Sequence, residues 1–261
     1  MKKFVVKRLL ISIVLLFFVS MIIYGIMRCM PASFVETKAM ELSQKPGAKS
    51  YEEWLQQLNA AYGLDDSVIQ GYFVWASKAI RGQFGDSWLY NQPVLQKFAS
   101  VIWYSFALGL ASFILEIIIA IPAGVAAARK QYSLTDYSIT VIALIGISLP
   151  SFFFATILKW IFAVKLNWLD LYGIVGRMHQ QLSPMGQVLD IAKHMIMPVL
   201  TLTIVSIGSL MRYTRTNMLE VLNADYIRTA RAKGLPEKKV INHHAFRNIL
   251  IPIITLLGGT L

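Results

Sequence analysis

The chain has 261 residues, 56% of them hydrophobic and only 15% charged, against about 25% charged in a soluble domain. Lys and Arg number 25 against 14 Asp and Glu, for a formal charge of +11. This composition excludes a disordered chain, and Cys29 as the only cysteine excludes an internal disulfide framework. The class that remains is an all-α, polytopic membrane protein.

In chain order, the first candidate span is the uncharged run LLISIVLLFFVSMIIYGIM, residues 9–27, close to the roughly 20 residues a helix needs to cross hydrocarbon. Lys2, Lys3, Lys7 and Arg8 precede it, as they precede a secretory signal. The run is longer than a signal core, however, and Arg28-Cys29-Met30-Pro31 lacks a small-x-small cleavage site. It reads as an uncleaved span over about residues 9–29.

The segment 30–97 is too long for a hairpin and should be partly folded. Ser50-Tyr51-Glu52-Glu53 has the form of a capping box, followed by Trp54, Leu55, Leu58, Ala61 and Tyr62 at helical spacing. Gly63 should end that helix, and Asp65-Asp66-Ser67 should open another. Its positions Ile69, Tyr72, Phe73, Ala76 and Ile80 predict one apolar face, broken at Gly82 and Gly85. With Trp75 and Trp88 nearby, that helix either lies at the membrane interface or caps the bundle.

Further spans follow at about 99–128, 137–164 and 195–212, and a fifth run, 248–261, has 14 residues. At 1.5 Å per residue those 14 reach only about 21 Å, short of a hydrocarbon core about 30 Å thick. The natural chain is therefore expected to continue through this span. Residues 166–194 form a second loop, with Trp168, Tyr172 and Pro184. Glu116, Arg28 and Lys159 are charges in or near spans. The two basic residues lie toward span ends and can snorkel; Glu116 is deeper, and either faces a translocation path or is paired or protonated within the bundle. Pro122, Pro150, Pro198 and Pro252 fall in apolar runs and suggest broken helices.

Lys and Arg set the orientation. With the N-terminus inside the cell, residues 1–8, 129–136 and 212–247 are cytoplasmic. They hold 4, 2 and 8 basic residues against 0, 1 and 3 acidic ones. Residues 30–97, with six basic and seven acidic residues, fit outside. This bias is a topology signal and requires no nucleic-acid partner. Catalytic signatures are missing from the chain. It has no Gly-Lys dipeptide for a Walker ATPase, no Gly-x-Ser-x-Gly elbow, and no metal-ligand spacing among His179, His194, His243 and His244. No cofactor is expected, and paired carboxylates occur only where helix caps explain them.

The cytoplasmic stretch is the informative one. Asn223 is a suitable N-cap, Asp225 suits the positive end of a helix dipole, and Arg231 and Lys233 suit the negative end. Gly234 is a natural C′ residue, and Pro236 a natural first residue of a second helix. The pattern predicts two short helices with a sharp bend at the membrane surface. That is more structure than lipid anchoring needs, and it suits a soluble partner that pushes on it.

The residues Asp225-Tyr226-Ile227-Arg228-Thr229-Ala230-Arg231-Ala232-Lys233-Gly234, then His244-Ala245-Phe246-Arg247-Asn248, closely resemble the inner-membrane permease of dipeptide, oligopeptide and nickel ABC importers. More loosely they match the EAA loop of ABC importers, through Ala230 and Gly234. Arg228 stands for its glutamate, and Phe246-Arg247 for its Leu-Pro, departures that the peptide branch tolerates. Tyr62-Gly63-Leu64-Asp65, Gly82-Gln83-Phe84-Gly85-Asp86-Ser87 and Leu149-Pro150-Ser151-Phe152 resemble the family's external segment and third span, so the likeness covers nearly the whole chain.

The resemblance implies a single permease domain over 1–261 of the type I ABC importer kind, with a sixth span beyond this chain. It implies a bacterial plasma-membrane location, a heterodimer with a related permease, two cytoplasmic ATP-binding subunits and an extracytoplasmic solute-binding protein. Residues 223–234, within the loop 213–247, would be the coupling helix in the ATPase groove. Asp225, Arg228, Ala230, Gly234 and Arg247 would be the coupling residues, with Glu116 on the path. Peptide is the expected substrate, nickel or another small solute the alternative. A passive channel or a non-transporting scaffold subunit would explain the spans, but not the capped helix.

Overall fold

The computed structural model describes residues 2–29, 34–62, 64–87 and 89–259. The chain divides into two compact units, residues 1–100 and 101–261.

The first unit opens with α1 (Lys2–Arg28), 27 residues long and almost uniformly apolar. The membrane-length part of α1 has no buried residue. In water such exposure would be costly, but lipid tails solvate leucine and isoleucine as well as a protein core does. Next comes α2 (Phe34–Ser43), which the sequence reading did not foresee. It buries Val35 and Ala39 and packs on α3 (Tyr51–Tyr62). The capping box forms as expected: Glu53 N–H donates to Ser50 Oγ at 3.3 Å, and Ser50 N–H to Glu53 Oε2 at 3.1 Å.

Ser67 caps α4 (Val68–Ile80), its hydroxyl accepting from Gln70 N–H. At the other end Gln83 N–H reaches Lys78 O and Gly82 N–H reaches Ala79 O, so Gly82 closes the helix as expected. The predicted apolar face does not bury as a face. Tyr72 is buried, while Ile69, Phe73 and Ile80 are exposed, Ile80 by 87%. α4 packs on α1 mainly around Tyr72, with Trp75 stacked near Tyr24 and Phe73 near Phe17. Tyr72 Oη lies 2.8 Å from Ser20 Oγ and 3.3 Å from Phe17 O. Arg28 also ties the entry to α4, donating to Leu64 O at 2.9 Å and Asp66 O at 2.7 Å. A two-residue ribbon pairs β1 (Asp86–Ser87) with β2 (Gln92–Pro93) in antiparallel fashion. Gly63 and Trp88, singled out in the sequence, lie outside the described residues.

The second unit contains most of α5 (Val94–Arg129), then α6 (Leu134–Ser148) and α7 (Ser151–Leu158), which continues as a π-helical turn over Lys159–Lys165. After a loop come α8 (Pro184–Leu222), α9 (Asp225–Ala232) and α10 (Glu237–Lys239). A second π-helical turn, Val240–Ala245, leads into α11 (Phe246–Leu257). Among the described residues four helices have the length and apolarity to cross a membrane: Lys3–Arg28, Val94–Arg129, Pro184–Leu222 and Glu237–Leu257.

The expected span 137–164 is not one straight helix. Leu134–Ser148 and Ser151–Lys165 meet at an angle of 104°. The cause is Pro150, which drives the preceding residue out of helical geometry: Leu149 has ψ 132°. Pro122, Pro198 and Pro252 instead sit inside continuous helices, so only one of the four prolines marks a break. Lys159, expected to snorkel, sets its ammonium 4.5 Å from the centre of the Tyr172 ring.

α8 is the element on which the unit is built, and glycines bring its neighbours close. A Cβ on Gly146 of α6 would stand 2.6 Å from Ile204 O, and one on Gly208 of α8 would strike Ala143 O and come within 2.8 Å of Ile147 Cγ1. On α5, a Cβ on Gly124 would meet Met211 O at 2.7 Å and Thr214 Cβ at 2.8 Å. Small residues that let backbones approach are how helices associate in lipid, where no hydrophobic term separates partner from solvent. Gly208→Val is therefore expected to destabilise the folded protein by about 1–3 kcal/mol, as overpacking does. Gly109→Val, at an exposed helical position whose Cβ would meet nothing within 4 Å, should leave stability near that of the parent. Thermal unfolding of both variants in detergent measures the difference.

Candidate functional site

The expected span 195–212 underestimates α8, which has 39 residues and so runs about 58 Å at 1.5 Å per residue. That is nearly twice the hydrocarbon thickness of about 30 Å, so the helix carries its polar ends well clear of it. The helix starts at Pro184, capped by the Ser183 hydroxyl. Asp190 and Lys193, which look loop-like in sequence, are satisfied there by neighbours, while His194 bonds through Nδ1 and its buried Nε2 makes no hydrogen bond to a described residue. His179 Nδ1 lies 2.7 Å from Asp190 Oδ2, and Gly176 N–H donates to the same oxygen at 2.9 Å. His194 Nδ1 lies 2.8 Å from Asp190 O. Two histidines that the sequence left scattered are thus brought to one aspartate. Among the described residues, no group of three His, Cys, Asp or Glu is placed to hold a metal ion.

At its other end α8 continues to Leu222, and here Asn223 does not cap α9. Its side-chain amide donates back to Leu219 O at 3.0 Å, which commits it to the helix behind. Ala224 takes the N-cap position of α9 without a side-chain bond. Asp225 does begin the helix, beside the positive end of the dipole. It sits 3.5 Å from Arg228 Nη1, both side chains largely exposed. Tyr226 is also exposed.

The opposite face of α9 is buried. Ile227 is fully inaccessible and Ala230 nearly so, in a cluster with Met218, Val240, Ile241, Ala245 and Ile249. Ala230 therefore holds α9 to its own subunit.

Gly234 fills the expected role. Its φ is +73°, its N–H bonds Arg231 O at 2.9 Å, and Leu235 N–H bonds Ala230 O at 3.4 Å, closing α9 as a Schellman motif. Space is not the constraint, since a Cβ there would meet nothing within 4 Å. Only the backbone conformation demands glycine. Arg231 then spans the bend with a two-pronged bond to Glu237, at 3.2 and 2.8 Å.

The second short helix predicted after Pro236 is not separate. From Glu237 the chain runs through the π-helical turn into α11, a continuous 21-residue stretch to Leu257. Arg247 lies exposed on α11. Glu116 sits half-buried on α5, its carboxyl against the Ser206 hydroxyl of α8.

One feature of this region was missed entirely. Asp136, in the first turn of α6, is only 3% exposed and receives both prongs of Arg215 from α8, Nε to Oδ1 at 2.6 Å and Nη2 to Oδ2 at 2.7 Å. Tyr132 N–H also donates to Oδ2 at 3.0 Å, and Thr140 Oγ1 lies 3.5 Å from Oδ1. The pair is 79 positions apart in sequence, and Asp136 read there as one acidic residue among basic ones. The available signal was its place two residues into α6, next to an interhelical turn.

Comparison with known proteins places both units. Residues 120–261 match the family described as the binding-protein-dependent transport system inner membrane component, and residues 1–95 match the N-terminal part of the same kind of membrane component. The oligopeptide transport system permease protein AppB of Bacillus subtilis is 34% identical over 259 residues, covering 99% of this chain and 78% of that protein. The oligopeptide transport system permease protein OppB of Escherichia coli K12 is 35% identical over 260 residues, and that of Salmonella typhimurium 34%. Each alignment covers 99% of this chain and 78% of the relative.

The geometry at Gly234 yields a direct expectation. A β-branched residue held at positive φ costs about 1–2 kcal/mol, a factor of about 5–30 in a local equilibrium. Gly234→Val should speed hydrogen exchange of the amides of residues 225–239 by about that factor. Gly234→Asn, which tolerates the left-handed conformation, should remain near the parent rate.

Proposed function

The chain belongs to the family of binding-protein-dependent transport system inner membrane components, and we propose that it is the permease subunit of an ATP-driven peptide importer. The observation that carries the reading is α9, an eight-residue helix wedged between two membrane helices. It is fixed on one face by Ile227 and Ala230, and presents Asp225, Tyr226 and Arg228 on the other. A rigid polar knob of this kind suits a groove on a moving partner. That partner is a pair of ATP-binding subunits, which supply the hydrolysis. A second permease completes the pathway and an extracytoplasmic binding protein delivers the substrate. The peptide assignment is supported by relatives named for oligopeptide transport that align over nearly the whole chain. Glu116, half-buried toward α8, faces the translocation path.

The orientation that goes with this function puts the N-terminus, residues 129–136 and residues 212–247 in the cytoplasm of a bacterial cell, where their 14 basic residues outnumber four acidic ones. In a Cys29→Ser background, Lys238→Cys should resist an impermeant thiol reagent added to whole cells, while Lys49→Cys, also exposed, should label. The reverse pattern inverts the topology.

Function is tested in proteoliposomes holding the full set of subunits. Labelled oligopeptide should accumulate only with ATP and binding protein, and excess nickel should not compete. Competition by nickel in place of peptide assigns the other branch. Glu116→Gln should reduce uptake with assembly unchanged; full uptake across a range of pH removes Glu116 from the path.

A further inference from the structure

The Asp136–Arg215 pair does something that its position alone does not require. Arg215 lies on α8 two turns before the helix ends at Leu222, hence two turns before the elbow into α9. Asp136 belongs to the turn that joins α5 to α6. The aspartate also holds that turn in shape. Its backbone N–H donates to Ser133 Oγ at 3.4 Å, and its Oδ2 takes the N–H of Tyr132, a non-glycine residue held at φ +63°. The buried carboxylate thus accepts two bonds from α8 and one from its own turn, with Thr140 Oγ1 at 3.5 Å.

Apolar packing runs on either side of the pair. Toward α9, Met218, Ile227, Val240 and Ile241 are almost wholly buried against one another. Toward the membrane, the same cluster continues through Ala120, Ala143, Ile207, Leu210 and Met211, and α8 meets α5 and α6 closely at Gly124, Gly146 and Gly208. Apolar contacts of this kind have no preferred direction, so sliding and rotation cost them little. A two-pronged guanidinium–carboxylate bond permits neither without breaking, because it fixes distance and plane together.

We propose that Asp136 and Arg215 form a transmission clamp, a positioning pair that makes the α5–α6 turn follow the α8–α9 elbow. A push delivered to α9 then reaches two further membrane helices through a single directional contact. Without the clamp, α8 moves past α5 and α6, and the push is lost in sliding. The proposal rests on the reading of α9 as the element on which the ATP-binding subunits act.

The test uses the complete importer in proteoliposomes, with ATP hydrolysis and peptide uptake measured on the same preparation. Three variants are compared: Asp136→Asn, Arg215→Gln and Arg215→Lys. The lysine keeps the charge, and so the neutrality of the buried site, but loses the fork. For each variant the ATP consumed per peptide imported should rise by about fivefold or more, the scale of a lost coupling free energy. The lysine variant should assemble at parental levels, so it decides the matter even if the other two fail to fold. A parental ratio of ATP to peptide in Arg215→Lys overturns the clamp and leaves the permease reading intact. So does a proportional loss of hydrolysis and uptake, which marks a merely structural pair. Absence of ATP-dependent uptake by the unsubstituted complex overturns the permease reading, and the clamp with it.

Discussion

Lipid tails are as apolar as leucine, so burying leucine between two helices gains almost nothing inside a bilayer. The second unit depends on what replaces that term, which is close approach along α8. Gly146, Gly208 and Gly124 remove the side chains that would keep α6 and α5 away, and backbone carbonyls then lie directly against the facing glycines. The gain is dispersion over many near contacts, together with the few polar bonds that hydrocarbon strengthens. Thr203 Oγ1 reaching Ser112 O at 3.5 Å is one of these. In the first unit, Tyr72 reaching Ser20 and Phe17 serves α1 and α4 in the same way.

Beyond the hydrocarbon the rule reverses, and the chain changes its chemistry accordingly. Where α8 emerges, Met218, Ile227, Val240, Ile241 and Ala245 form a true apolar core, each large side chain worth about 1.5–3 kcal/mol when removed from water. The elbow is thus a small globular module, closed by the Gly234 cap and the Arg231–Glu237 fork. It is held by the burial of apolar side chains from water, while the spans it continues are held by close backbone approach and side-chain packing.

The parts of this architecture that were legible in the sequence are those fixed over three or four residues. The Ser50–Glu53 box, the Ser67 cap and the Gly234 terminus follow from local hydrogen-bond geometry and formed as read. The apolar runs located the membrane helices, because hydrophobicity over about 20 residues is itself the constraint. What failed was whatever a more distant partner decides. Asn223 was a sound cap by type, yet its amide turned back to Leu219. The ends of α8 looked like loop because Asp190 and Arg215 are charged, and only the fold supplies His179, Gly176 and Asp136 to satisfy them. The residues around Pro150 carried the right signal, but the 104° bend is a tertiary outcome. Among the residues whose burial is described, α2 buries Val35 and Ala39, too faint a pattern to stand out.

The same distinction separates the two faces of α9. Its residues resemble one motif, but the structure assigns them opposite tasks. Ala230 and Ile227 are constrained by the subunit's own core, Gly234 by a backbone angle, and Asp225, Tyr226 and Arg228 by nothing within the described chain beyond one exposed ion pair. Residues under no internal constraint are the ones a partner can select. Tyr226 adds a large amphipathic ring at small entropic cost on binding, a quality that favours tyrosine at the centres of interfaces. A helix that buries one face to stay rigid and leaves the other unclaimed can take a push without deforming. On the clamp proposed above, a displacement imposed on its polar face is handed to α6 through the Arg215–Asp136 bond.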